Sequence, residues 1–144
     1  MKYKQLLLAL LLIGTVIGCK HNENTESTSA VTATNGVYFV NLKDGDKVKS
    51  PVIIQMGVKG MNVEPAGAMH DSMGHHHLII DGTWIEKGTM VPKDSTHLHF
   101  GKGQTVDTLS LSPGEHTLTL QFADGMHRSY GKEWSSTIKI TVVQ

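Results

Sequence analysis

Nine histidines in a chain of 144 residues are the first chemistry this sequence offers. His75, His76 and His77 are consecutive, preceded by Met69-His70-Asp71-Ser72-Met73-Gly74. His97 and His99 form an H-x-H pair, His116 opens an apolar alternation, and His127 ends the run Asp124-Gly125-Met126-His127. Neutral imidazole is the commonest metal ligand and suits zinc, copper, nickel and iron. In a strand, residues two apart share a face at a spacing of about 6.6 Å. His75/His77 and His97/His99 can therefore each present two rings to one ion, and neighbouring strands would bring four together. Thioethers add a preference for Cu(I), and Met69, Met73 and Met126 each lie near a histidine. The candidate metal ligands are His75, His77, His97, His99, His116 and His127, with Met69 and Met73. The expected ion is copper first and zinc second.

Plainer roles stand beside these. His76 shares its strand face with Leu78 and Ile80, as a core histidine hydrogen-bonded to backbone would. His116 shares its face with Leu118, Leu120 and Phe122 and admits the same reading. Methionine more often fills irregular gaps in a core than binds metal, and packing or exposure is expected for Met56 and Met90.

The elements that must position these side chains have a period of two, not 3.6. Val37–Leu42, Val52–Val58, His75–Ile80, His97–Phe100, Val106–Leu111, His116–Phe122 and Thr137–Val143 read as strands. Lys43-Asp44-Gly45-Asp46, Asp81-Gly82, Gly101-Lys102-Gly103 and Pro113-Gly114 read as turns between them. Short strands at this spacing, with no convincing helical stripe, predict an all-β fold. The expected form is an immunoglobulin-like antiparallel β-sandwich of about seven strands over residues 36–144.

Ahead of it, Lys2 and Lys4, the apolar run Leu6–Ile13 and Val16-Ile17-Gly18-Cys19 have the order of a secretory signal. The last four residues resemble the lipobox of bacterial lipoproteins. That resemblance implies cleavage after residue 18 and lipidation (palmitate among the acyl chains) of Cys19, the sole cysteine. Two or more acyl chains make a stable anchor, so the expected location is the bacterial cell envelope, held to the membrane through Cys19. Residues 19–35, rich in Ser, Thr and Asn, read as a flexible tether. With the cysteine consumed by lipid, neither a disulfide nor a thiolate metal ligand is expected. Without Lys2 and Lys4, Lys+Arg falls from 13 to 11 against 13 Asp+Glu, a formal charge of −2. With no basic patch visible, nucleic acid is not an expected partner.

Four stretches carry a family resemblance: Gly74–Gly82, His97–Thr105, Leu109–Leu118 and Ala123–His127. In this order they resemble the small exported bacterial domains grouped as domain of unknown function 4399, over roughly Val37 to Val143. The resemblance implies a β-rich exported domain with histidine at His75 to His77, His97, His99, His116 and His127. It implies no activity.

The residues thus point to an envelope lipoprotein that binds a transition metal for buffering, delivery or sensing. A non-metal structural or interaction module, its histidines pinning loops, is the alternative. A metal-dependent hydrolase using His75, His77 and His99 comes third, since no general base is evident beside them. Asp71, Asp81 and Asp124 are the nearest carboxylates in sequence. No Ser-His-Asp signature, phosphate loop or dinucleotide motif is present.

Overall fold

The computed structural model describes residues 35–144. The expected signal, Cys19 and the tether up to residue 34 lie outside the described residues. Nine strands follow: β1 (Gly36–Phe39), β2 (Asp46–Lys49), β3 (Val52–Lys59), β4 (Asn62–Val63), β5 (Met73–Ile80), β6 (His97–His99), β7 (Val106–Leu109), β8 (Gly114–Ala123) and β9 (Ser135–Val143). One 3-10 turn, Lys132–Trp134, is the helical element among the described residues.

The strands form two sheets. The smaller has the order β1-β3-β7 and the larger β2-β9-β8-β5-β4, with β6 also paired to β5. Val37, Ile54, Met56 and Leu109 of the smaller sheet meet Leu78, Leu118, Leu120, Phe122, Ile138 and Ile140 of the larger in one apolar core. This is the sandwich that the period-two pattern predicts, and each of the seven expected strands is present. Two short strands escaped that pattern. β2 carries one apolar residue, Val48, among Asp46, Lys47 and Lys49, and pairs parallel with β9. β4 is two residues long and pairs parallel with β5. An edge strand facing water has no reason to alternate apolar with polar, so it leaves little trace in sequence. The sheets are accordingly antiparallel only in their main pairings.

Strand alternation alone would leave the second face of the larger sheet in water. Leu118, Leu120 and Phe122 of β8 face the core, yet Thr119, Gln121 and Ala123 between them are equally buried. The connections after β5 and after β8 cover that outer face. Gln121 anchors them: its Oε1 accepts from the Ile85 N–H at 2.9 Å, and its Nε2 donates to the carbonyls of Gly131 and Trp134. Ser129 Oγ donates to the Ile85 carbonyl and ties the two connections together. β5 is consequently buried without a break from Gly74 to Ile79. A second, smaller interior therefore lies outside the sandwich core, between the larger sheet and its loops.

Truncating a fully buried leucine in a close-packed core costs about 2–5 kcal/mol, because lost burial and a residual cavity add. Leu120→Ala should lower the unfolding free energy by that amount in urea titration. Ile53→Ala, on the half-exposed face of β3, should change it by less than about 0.5 kcal/mol.

Candidate metal centre

Four imidazoles meet in this second interior. β5 alternates its side chains, so His75 and His77 leave the sheet on the outer face while His76 and Leu78 enter the core. In the β5/β6 register, His77 lies directly opposite His99. His127 arrives from the turn after β8. All six ring pairs among these four histidines have centroids between 4.6 and 6.0 Å apart. His75 Nε2 and His77 Nε2 are 3.0 Å apart, and so are His99 Nε2 and His127 Nε2. One ring nitrogen from each of His75, His77 and His99 lies within 4.8 Å of the others. A tetrahedral ion with metal–nitrogen bonds of about 2.0–2.1 Å separates its ligands by about 3.3 Å. The cluster can therefore hold a metal ion with small ring movements.

Local sequence explains how the rings fit. A side chain at Gly101 would run into the His99 ring, and one at Gly125 into the Ala68 carbonyl. His127 has φ 65°, a conformation uncommon outside glycine. Asp124 holds it there: its Oδ1 accepts from the N–H groups of Met126 and Arg128, and its carbonyl accepts from the His127 N–H. Backbone kept in such a region by surrounding bonds is typical of functional sites.

Without an ion the arrangement is costly. Two neutral rings in nitrogen–nitrogen contact need one donor and one acceptor. Whichever ring donates, the Nδ1 atoms of His75 and His77 remain buried with no hydrogen-bond partner among the described residues. An unpaired buried group costs about 1–3 kcal/mol. Protonation is no remedy. Burial, with the neighbouring His99 and His127 charges, lowers His75 from 6.5 to about 4. Burial, with the charges of His75, His99 and His127, lowers His77 to about 2. His99 is lowered too, by burial, His127 and the Lys93 ammonium. His75 and His77 are therefore neutral at pH 7, the form that binds metal. A cavity of about 480 Å³ opens onto His77, His99 and His127, with residues 90–93 as its remaining lining.

The structure brings together His75, His77, His99 and His127 of the expected ligands. His97 stands opposite Ile79, two residues before His99 on β6. Its Nδ1 sits 2.9 Å from an Asp94 oxygen, so the strand register separates it from the cluster. His116 closes the far end of β8, with Nδ1 3.0 Å from Asp81 Oδ2 and Nε2 donating to the Ser112 carbonyl. Burial acts to lower its pKa, but these bonds and the Asp81 charge outweigh it and the value is raised. Met69 Sδ lies 2.7 Å from an Arg128 nitrogen, in a half-exposed side chain. Met73 starts β5 two residues before His75, its carbonyl accepting the Tyr130 hydroxyl. Neither methionine lines the cavity; Met90, for which packing or exposure was expected, does. His76 is in the core as the plainer reading has it, but without the expected backbone bond. Its ring packs edge-on to Phe122 and neither nitrogen has a partner among the described residues.

Two of the three carboxylates weighed as bases, Asp81 and Asp124, are engaged elsewhere. Burial would raise the Asp124 pKa, but hydrogen bonds from Arg128 and Met126 hold it below the ordinary range. Asp81 is bound to His116 and to the Thr117 N–H.

The family model described as Domain of unknown function (DUF4399) matches residues 54–143, more than half of the chain. A search of curated proteins finds no match. A search of solved structures finds none either.

Buried neutral histidines make the metal-free domain acid-sensitive. Burial holds His76 at about 4 in the folded state against 6.5 otherwise. Between those values the unfolded chain binds the extra proton, so stability falls as pH falls through that window. His76 alone should account for about 3 kcal/mol lost between pH 7 and pH 4. Urea titrations in chelator should show this, and His76→Phe should flatten the dependence. His116 has the opposite sign, stabilising at acid pH and losing that contribution as pH rises through its elevated pKa.

Proposed function

The chain belongs to the DUF4399 family, whose description names no activity, and we propose from the imidazole cluster itself that it binds a transition metal, copper ahead of zinc. The observation that carries this reading is the convergence of His75, His77, His99 and His127, with every ring pair within 6.0 Å. Structural histidines are held singly by backbone or carboxylate, as His97 and His116 are here. These four instead face one another, and the Nδ1 atoms of His75 and His77 are buried without a partner among the described residues. An ion seated among the Nε2 atoms would replace the nitrogen–nitrogen contacts of His75 with His77 and of His99 with His127. Among divalent first-row metals an all-nitrogen site binds Cu²⁺ most tightly, which puts copper first.

The role that fits is buffering, delivery or sensing of metal in the cell envelope. Lys2, Lys4, the apolar run Leu6–Ile13 and the Val16–Cys19 lipobox support export and anchoring through Cys19. A hydrolytic role is less supported, because Asp124 and Asp81 are already bound by other groups.

Titration of the purified chain with Cu(II) and Zn(II), read by calorimetry and histidine NMR shifts, should reveal one site tighter than about 1 μM. Outer hydrogen-bond partners of a metal ligand are commonly worth roughly 10–100-fold in affinity. His77→Ala with His99→Ala, which removes two ligands, should cost at least that. His116→Ala should not change affinity. Undiminished binding in the double variant removes the site assignment. In bacteria expressing the chain, incorporation of a palmitate analogue should depend on Cys19 and disappear in Cys19→Ser.

A further inference from the structure

The cavity on the cluster joins three of its imidazoles to a sulfur. His77, His99 and His127 line it on one side, and Met90 and Lys93 belong to the remainder. We propose that the Met90 thioether is a further donor to this centre and lets it hold copper as Cu(I). The inference rests on the metal-binding reading above and specifies the ion's oxidation state and an additional ligand.

Three observations support it. First, Met90 is placed by backbone and free at its tip. The Val91 N–H donates to the His127 carbonyl at 2.9 Å, and Met90 bridges Arg128. The residue is 65% exposed. Methionine is unbranched with three rotatable bonds, so it can swing toward an ion bound at the shared cavity. Second, the donor set contains no anion. Three imidazoles and a thioether, none of them an anion, line a cavity that also carries the Lys93 ammonium. Coulomb repulsion scales with the charge of the ion, so a monovalent ion is penalised less there than a divalent one. Soft thioether ligation selects Cu(I) for the same site. Third, the other exposed methionines are not so placed. Met69 has its sulfur against the Arg128 guanidinium, and Met126 does not line the cavity.

The test uses the purified full chain under anaerobic conditions. Cu(I) affinity is read by competition with a chromophoric Cu(I) chelator, and Zn(II) affinity by competition with a fluorescent zinc chelator. Met90→Leu should lower Cu(I) affinity at least tenfold more than Zn(II) affinity, a selectivity shift of about 1.4 kcal/mol. Met126→Leu should leave that ratio as in the unmodified chain. X-ray absorption of the Cu(I)-loaded protein should contain a copper–sulfur distance that is lost in Met90→Leu. An unchanged affinity ratio in Met90→Leu, or no copper–sulfur scattering in the unmodified protein, overturns the assignment of Met90 and leaves the histidine centre standing. Failure of the unmodified protein to bind either metal overturns both.

Discussion

The pairing of His77 with His99 across β5 and β6 is the constraint from which the centre is built. A strand register is a discrete quantity, and a slip of one residue sends every side chain to the opposite face. In the observed register His75 and His77 leave the larger sheet on the side away from the sandwich core. His99 joins them and His97 is carried past to Ile79. The same parity sends His76 inward against Phe122. Three consecutive histidines thus have two different environments, decided by which residue of β8 each one faces.

Burial of that outer face gives the cluster its chemistry. Imidazoles on an open sheet would titrate near their ordinary value and compete for metal with protons. Beneath the connections anchored by Gln121 they are desolvated and crowd one another, and His75 and His77 are pushed well below neutrality. Desolvation also exacts a cost, because buried nitrogens without partners destabilise the fold. Natural domains concentrate such costs where they serve function. The Asp124 turn repeats the pattern, holding His127 at positive φ through hydrogen bonds to its own backbone neighbours.

The cavity adds a direction to the site. His77, His99 and His127 border it, whereas His75 lies behind them and is fully buried. An ion held by the cluster would meet solvent on the side of this cavity. Residues 90–93 form the other wall and are tied by backbone to the turn that carries His127. Movement of that turn would shift an imidazole and the wall of its cavity together.

Much of this is legible in the amino-acid sequence. Period-two alternation and turn residues determined the sandwich and its seven main strands, because alternate burial is imprinted on a strand's composition. Chemistry-bearing residue types were equally plain: His75, His77, His99 and His127 stood among the candidates from their spacing. Tertiary structure alone decided which of the candidates meet. His97 and His116 look no different in sequence from His99 and His127, but register and strand ends give them carboxylate partners instead. The weight placed on Met69 and Met73 came from nearness along the chain, whereas the sulfur on the cavity is that of Met90. Composition encodes burial and local turns residue by residue. Which loop folds over which face depends on long-range pairing, and no local pattern records that.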